Sequence, residues 1–158
     1  MTELLSPDWE FVADTVMGGV SQGGISRSQI DGRPATRLQG NVSLDNNGGF
    51  VQMAFDLAGG GTYDASAYTG VELDIYGNEE IYDLRLRTDQ LQRPWHSFRV
   101  EFTAHPRWTT FRVPFTDFEA HRTSVRFDPA RLRRIGILGI GREFKADLAI
   151  ARIGFYAA

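Results

Sequence analysis

Five segments of the chain alternate between apolar and polar residues with a period of two, and this pattern restricts the fold most. In GVELDIYG, Val71, Leu73 and Ile75 share one parity, while Glu72 and Asp74 share the other. The pattern recurs in GGFVQMAFDL, YDLRLRTD, WHSFRVEF and WTTFRVPF, and two more strand-like segments near the end are IGILGIG and DLAIARIGFY. Alternation places successive side chains on opposite faces of a β-strand. We therefore predict half-buried strands, with the nearly apolar IGILGIG in a central position.

Turn residues separate these segments, and helical signals are few. Two short helical turns are expected, one in DPARLRRIG with Asp128 as N-cap and Pro129 at the first helical position, the other in PFTDFEAH with Thr116 or Asp117 as cap. The residues typical of tight turns are Asp31–Gly32, Asn46–Gly49, Gly59–Gly61, Gly77–Asn78 and His105–Pro106. About ten short strands with little helix predict an all-β protein, an antiparallel β-sandwich or jelly roll. A length of 158 residues suits one domain over residues 1–158.

Composition excludes several function classes. Cysteine is absent, which excludes disulfide scaffolds, thiolate metal sites and cysteine nucleophiles. The net charge of −3 gives no general attraction to nucleic acid or anionic lipid. The N-terminus does not read as a signal peptide, and no segment approaches the roughly 20 apolar residues of a membrane span. We expect a cytoplasmic protein with no nucleic-acid partner and no membrane span.

Catalytic motifs are sparse. His96, His105 and His121 show no metal-ligand spacing and have no obvious serine or aspartate companion. The chain has no G-x-S-x-G, and GGVSQGG lacks the Lys-Ser/Thr of a phosphate loop. The sequence therefore predicts that the protein is not an enzyme and uses neither a cofactor nor a metal ion.

Aromatic and charged residues fall on the polar parity of several predicted strands or beside it. They are candidates for binding a ligand or partner: Arg85, Arg87, Trp95, Arg99, Glu101, Trp108 and Arg112. If they share a concave sheet, flat rings can stack on a sugar while arginine and glutamate bind its polar groups. The alternative is that the charges form cross-strand ion pairs and the tryptophans cap the core.

Two glycine pairs, in DTVMGGVSQGG and SLDNNGGF, form a second group of candidate residues. We predict that Gly18, Gly19, Gly48 and Gly49 adopt positive φ or approach other atoms too closely for a Cβ. Met17 and Phe50 are expected to anchor the two loops. The full set assigned to this structural motif is Asp14, Met17, Gly18, Gly19, Ser21, Asn47, Gly48, Gly49 and Phe50.

The segment WEFVADTVMGGVS, from Trp9 to Ser21, resembles the opening motif of the complex I intermediate-associated protein 30 family. GNVSLDNNGGF, YDLRLRT, WTTFRVPFTDF and RIGIL resemble later family elements in the same order, so the resemblance spans residues 9–155. The resemblance implies a galactose-binding-domain-like β-sandwich. It also implies a role like that of family members that act as assembly chaperones for NADH:ubiquinone oxidoreductase, or of related domains that support assembly of photosynthetic machinery.

Three functions follow for testing. The first is a noncatalytic assembly factor that binds a protein partner in a respiratory or photosynthetic complex. The second is a module that binds a carbohydrate or another small ligand through Trp95, Trp108 and nearby arginines, and the least supported is a hydrolase. Exposure of both tryptophans in one groove with Arg85 and Arg99 favours the ligand; exposed apolar loops favour the protein partner.

Overall fold

The computed structural model describes residues 2–93 and 95–158, except for the side chains of Met17 and Asn47. This part of the chain contains twelve strands: β1 (Thr2–Leu4), β2 (Glu10–Ala13), β3 (Gln22–Ile30), β4 (Arg33–Val42), β5 (Phe50–Asp56), β6 (Gly70–Tyr76), β7 (Ile81–Thr88), β8 (Ser97–Thr103), β9 (Thr109–Pro114), β10 (Glu119–His121), β11 (Leu132–Ile140) and β12 (Phe144–Tyr156). Four 3₁₀ turns interrupt them, at Asp14–Met17, Asp45–Asn47, Phe115–Asp117 and Pro129–Arg131. The described helical segments are therefore single turns, none of them long enough to cross a membrane.

The strands form two antiparallel sheets of six strands. Sheet A has the order β3-β4-β12-β6-β9, with β1 also paired to β12, and sheet B has the order β10-β8-β7-β11-β5-β2. The predicted central position of IGILGIG is confirmed, because β11 lies between β7 and β5. The strands β1 and β10 are three residues long and carry no readable alternation.

The inward faces of both sheets supply one apolar core. Val71, Leu73 and Ile75 of β6 are essentially inaccessible to solvent, as are Leu84 and Leu86 of β7 in the other sheet. Rings also meet between the sheets: the centroids of Phe102 in β8 and Phe111 in β9 are 5.6 Å apart. The predicted β-sandwich is confirmed, and alternation correctly assigned the buried face of these strands.

The turns follow local sequence preferences with one exception. Asp31 and Gly32 both have positive φ, 46° and 81°, as a two-residue hairpin between β3 and β4 requires. Asp128 caps the turn Pro129–Arg131 by accepting a hydrogen bond from the Ala130 N–H at 3.0 Å, as predicted. The predicted cap of the other turn is wrong, because Thr116 and Asp117 lie inside Phe115–Asp117 and no side chain caps it. That turn is instead fixed by the buried ring of Phe115.

Strand register defines two ends of the sandwich. Phe50 pairs with Ile140 and Ala13 with Val51, so β2 and β11 finish where β5 begins. The loops 14–21 and 43–49 lie here, and we call this region the Asp14 end. The β7–β8 connection, which carries Trp95, lies at the opposite end of sheet B, because β7 runs from Ile81 beside the Asp14 end to Thr88.

Candidate functional site

The carboxylate of Asp14 joins the two glycine-containing loops. It is completely buried and accepts four hydrogen bonds, from the Ser21 N–H and hydroxyl, the Gly49 N–H and the Phe50 N–H. The shorter backbone contacts measure 2.9 Å from Ser21 and 2.6 Å from Gly49. The Ser21 hydroxyl also accepts a hydrogen bond from the Ser43 N–H at 2.8 Å. One buried negative charge thus connects segments that are 35 residues apart in the sequence.

The glycines leave room for this carboxylate. A Cβ on Gly19 would lie 2.5 Å from the carboxyl carbon of Asp14, and a Cβ on Gly48 would lie 2.4 Å from Oδ2. Gly18 and Gly49 have positive φ, 90° and 134°. The conformational prediction is therefore confirmed for all four glycines, in two positions by φ and in two by close approach.

Hydrogen bonding keeps Asp14 ionised. Burial alone raises the pKa of this carboxyl, because a charge is poorly solvated in the interior. The hydrogen bonds from Ser21, Gly49 and Phe50 outweigh burial, and the pKa lies below its ordinary value of 3.8. The charge at Asp14 is consequently a structural element, fully coordinated by groups of its own chain.

The anchoring roles expected for Met17 and Phe50 stay predictions. Phe50 is half-buried at the start of β5. The side chains of Met17 and Asn47 lie outside the described part of the chain. Sequence reasoning placed Asp14 and Ser21 in the motif but did not find that Asp14 itself connects the loops. A signal was present, because an aspartate beside Gly-Gly and serine is a typical acceptor for backbone N–H groups.

The Asp14 end exposes apolar side chains. Val16, Val20 and Leu44 lie on the two loops with 73%, 44% and 45% of their surfaces accessible to solvent. Ile81, at the start of β7, is also exposed, and β7 begins at this end. We call these four residues the loop patch. Single exposed apolar residues are ordinary on a protein surface, but several at one end are typical of a contact surface.

The seven predicted binding residues lie on two different sheets. Arg85, Arg87, Arg99 and Glu101 share the outer face of sheet B, and Trp95 is in the loop that precedes β8. Trp108 and Arg112 belong to the outer face of sheet A. The structure therefore does not bring the two tryptophans into one groove.

On the outer face of sheet A, Glu72 and Asp74 form ion pairs with arginines. Glu72, which is buried, accepts a hydrogen bond from Arg112 Nε at 2.6 Å and is also paired with Arg152. Asp74 pairs with Arg33 at 2.9 Å and with Arg152 at 3.2 Å. Burial raises the pKa of both carboxyls. The pKa of Glu72 nevertheless lies below its ordinary value, because hydrogen bonds and positive charges from Arg112 and Arg152 outweigh burial. The pKa of Asp74 is also lowered, by a hydrogen bond from the Thr110 hydroxyl and by Arg33 and Arg152. This network agrees with the alternative that the charges form cross-strand ion pairs, since Glu72 and Arg112 are directly opposite in the strand register.

Trp108 contributes to the same face as a structural side chain. Its Nε1–H donates to the Ile30 carbonyl at 2.9 Å, and its ring contacts the Tyr76 ring edge-on at 5.6 Å. The Arg33 guanidinium lies 4.7 Å from the ring centroid. Trp108 thereby attaches the β3–β4 hairpin to the end of β6. This structural role agrees with the alternative that the tryptophans cap the core and do not bind a ligand.

On sheet B, the residues at the centre of the outer face are buried beneath longer neighbouring side chains. Gly136, Leu138 and Ala54 are buried although alternation directs them outwards, so longer side chains must stand above them. One of these is Gln52, whose Nε2 would be 2.2 Å from a Cβ on Gly136. Gly136 and Ala54 thus form a floor of small residues beneath longer side chains such as Gln52.

The arginines beside this floor have unequal contacts. Arg85 makes two hydrogen bonds to Asp83 Oδ2, at 3.0 and 2.8 Å. Arg87 donates to the carbonyls of Arg93 and His96, which holds the β7–β8 loop against this face. Arg99 reaches Asp83 only at 3.5 Å, and Glu101 is exposed.

Two residues that sequence reasoning did not select also lie here. Ser97 and His121 are cross-strand partners at the edge of this face, on β8 and β10. Ser97 is 97% buried, and its hydroxyl finds no hydrogen-bond partner within the described chain. Burial, with the charges of Arg85, Arg99 and Arg122, lowers the pKa of His121 below 6.5, while Asp83 opposes the shift. The imidazole is therefore neutral at pH 7.

The largest groove described here lies on sheet A, away from the predicted binding residues, and the described residues offer no metal site. Within residues 2–93 and 95–158, no group of three or more histidine or acidic side chains is arranged to hold a metal ion. A shallow polar groove of about 360 Å³ lies where β3, β4 and β12 meet, lined by Gln22, Gly23, Gln39, Gly40, Asn41 and Lys145. It contains none of the predicted binding residues.

The sequence of residues 2–150 matches the model of a protein family described as complex I intermediate-associated protein 30. The chain belongs to this family. The match covers both loops of the Asp14 end, so the Asp14 contacts and the loop patch belong to a complex I intermediate-associated protein 30 domain. No curated protein sequence matches the chain.

Solved structures resemble the fold of this complex I intermediate-associated protein 30 domain. A family 11 carbohydrate-binding module from Clostridium thermocellum, in complex with a β-1,3-1,4-mixed-linked tetrasaccharide, has a TM-score of 0.79 at 13% identity over 99% of this chain and 96% of that one. A family 30 carbohydrate-binding module of a cellulosomal cellulase from the same organism has a TM-score of 0.72 at 14% identity over 99% and 98%. These likenesses establish the sandwich fold.

Proposed function

We propose that this domain is a noncatalytic protein-interaction module that assists assembly of a respiratory or photosynthetic complex. Its family membership supports this role, because the family is described by its association with intermediates of complex I. The observation that carries the proposal is the loop patch, in which Val16, Val20 and Leu44 are exposed on two loops that the buried Asp14 holds in place, with Ile81 exposed on β7 at the same end.

The construction of the Asp14 end suits recognition of a partner. The hydrogen bonds to Asp14 fix both loops, so Val16, Val20 and Leu44 are presented with little entropy left to lose on binding. Burial of exposed apolar side chains then contributes about 25 cal/mol per Å² of apolar area. A partner surface with complementary apolar residues would bind here.

The contacts of the histidines bear on the hydrolase alternative. His105 pairs with Glu79 at 3.2 Å, at an exposed position. Within the described chain, none of the histidines forms a hydrogen bond with a serine or threonine hydroxyl, the contact that activates such a nucleophile.

Deletion and rescue in the source organism test the assembly role. Loss of the gene is expected to lower the amount of a fully assembled respiratory or photosynthetic complex and to accumulate a subcomplex, as measured on native gels. The wild-type protein should restore assembly, whereas the triple variant V16S/V20S/L44S should not. Leu4→Ser, which changes an exposed apolar residue on β1, is the matched control and should restore it. Unchanged amounts of these complexes in the deletion strain would refute the proposal.

A second candidate function is carbohydrate binding on the outer face of sheet B. The supporting observation is the floor of small residues beside Arg85, Arg99 and Gln52, and the similar solved folds are carbohydrate-binding modules. Calorimetric titration with neutral oligosaccharides, including the β-1,3-1,4-mixed-linked tetrasaccharide, tests it. Binding that is lost when Gly136→Phe fills the floor, in a variant that remains folded, would support this candidate; absence of binding to neutral and acidic sugars would exclude it.

A further inference from the structure

The hydroxyl of Ser97, on the outer face of sheet B, has no hydrogen-bond partner within the described chain, although arginine side chains lie on the same face. Ser97 lies on the outer side of β8, because its neighbour Phe98 packs into the core. Burying a hydroxyl without a hydrogen bond destabilises a protein, so such groups are concentrated at sites with another use. A ligand group that reaches the Ser97 hydroxyl would therefore gain a hydrogen bond without breaking one within the described chain.

Arg99, two residues further along β8, has guanidinium N–H groups that make no hydrogen bond within the described chain. Its one hydrogen bond within the described chain is the 3.5 Å contact with Asp83, while Arg85 takes the same carboxylate oxygen at shorter distances. Glu119 is opposite Arg99 in the register but does not come within ion-pair distance. Most of the Arg99 guanidinium fork is therefore free to bind a ligand.

The charges around this corner favour an anion. The positive charges of Arg85, Arg99 and Arg122 act on His121 and contribute to the lowering of its pKa, while the carboxylate of Asp83 is bound by Arg85. A carboxylate matches the remaining groups, since its two oxygens fit the guanidinium fork and can also accept a hydrogen bond from a hydroxyl.

The aromatic side chain of Trp95 lies at the end of sheet B where β8 begins with Ser97. Trp95 is 49% exposed, and its loop is held against sheet B by the hydrogen bonds from Arg87 to the Arg93 and His96 carbonyls. An exposed indole offers a flat apolar surface on which a pyranose ring can stack. A ring next to a carboxylate-binding corner is the arrangement expected for a sugar that carries an acid group.

We propose that Arg99, Ser97 and Trp95 form a subsite for a uronic acid residue of an acidic oligosaccharide. The sugar ring stacks on Trp95, and its carboxylate binds Arg99 and the Ser97 hydroxyl. The inference rests on the carbohydrate-binding candidate above and specifies its ligand. Because the Ser97 hydroxyl is closed to solvent, binding requires a neighbouring side chain to move, and we expect this to be the half-buried imidazole of His121, which is opposite Ser97 in the strand register.

Paired acidic and neutral ligands test this subsite. Calorimetric titrations at one ionic strength would use tetragalacturonate, tetramannuronate and their methyl esters, which keep each sugar but remove the charge. We expect at least one acid to bind about tenfold more tightly than its own ester, since a charge-assisted hydrogen bond is worth that factor or more. The ring signals of His121 in NMR spectra should shift on titration with that acid.

Variants assign the effect to the proposed residues. Arg99→Gln should weaken binding of the acid about tenfold and leave binding of the ester unchanged, whereas Glu119→Gln, which removes the opposing charge, should strengthen binding of the acid. The melting temperature of each variant reports whether it remains folded.

Equal affinity for acid and ester, or for Arg99→Gln and wild type, would overturn the subsite. Binding of neutral oligosaccharides alone would overturn it and leave carbohydrate binding standing, and no binding of either class would overturn both.

Discussion

Ser21 and Ser97 are both almost completely buried, with 2% and 3% of their surfaces exposed, yet their surroundings are opposite. The Ser21 hydroxyl donates to Asp14 and accepts from the Ser43 N–H, so its hydrogen-bonding capacity is used inside the fold. The Ser97 hydroxyl has no partner within the described chain. The comparison separates two kinds of buried polar group: one that stabilises the native structure and one that costs stability and marks a surface for binding.

The largest loss of stability is expected from removal of the Asp14 carboxylate, to which Ser21 donates two hydrogen bonds. Asp14→Ala leaves two N–H groups of the loop 49–50, and the N–H and hydroxyl of Ser21, without their acceptor. We expect a loss of roughly 3 kcal/mol or more in the free energy of unfolding. Urea unfolding followed by tryptophan fluorescence measures it; a loss below about 1 kcal/mol would contradict the role given to this carboxylate.

Filling the space beside Asp14 should be the next largest change. Gly19→Val places a Cβ against the carboxyl carbon and should destabilise the domain by about 2 kcal/mol or more. Gly24→Val is the matched control, because a Cβ at Gly24 meets nothing within 4 Å and lies in strand β3, where valine is favoured. Equal melting temperatures for the two variants would show that the Gly-Gly pair does not serve to accommodate Asp14.

Truncation of the satisfied serine should have an intermediate effect. Ser21→Ala removes one donor to Asp14 and leaves the Ser43 N–H without its acceptor, which should cost about 1–2 kcal/mol. The same chemical unfolding measurement applies. Stability equal to wild type would mean that this hydroxyl is dispensable.

Truncation of the unsatisfied serine should have the smallest effect on stability. Ser97→Ala removes a hydroxyl that has no partner, so stability should remain within about 0.5 kcal/mol of wild type or rise. A loss as large as that of Ser21→Ala would indicate that Ser97 is held by a contact of the folded chain, and the distinction between the two serines would fail.

Much of the fold follows from local pattern, because the alternating segments report the two faces of each strand directly. The order of strands does not follow in the same way. WTTFRVPF and YDLRLRTD have similar patterns, yet β9 pairs with β6 in sheet A while β7 joins sheet B. For this reason parity placed Arg85, Arg87 and Arg99 correctly on one face, but could not show that Trp108 and Arg112 lie on the other sheet.

The same limit applies to the sites. The positive φ of Gly18 and Gly49 follows from sequence, because glycine pairs in turns are a local signal. The role of Asp14 depends on contacts with residues 35 and 36 positions away, and the isolation of Ser97 depends on how β8, β10 and the β7–β8 loop enclose it. Neither has a local signature strong enough to predict its environment.

The most direct test of the account is the pH dependence of the difference in unfolding free energy between wild type and Asp14→Asn. The pKa of Asp14 lies below 3.8 in the folded state and near 3.8 in the unfolded state, so the stability that its charge contributes is complete above the unfolded value. We predict a constant advantage for wild type from about pH 5 upwards, which shrinks as the pH falls through 3.8 and then through the folded pKa. An advantage that is absent at pH 7, or that persists unchanged down to about pH 2, would contradict the claim that a buried negative charge joins the two loops.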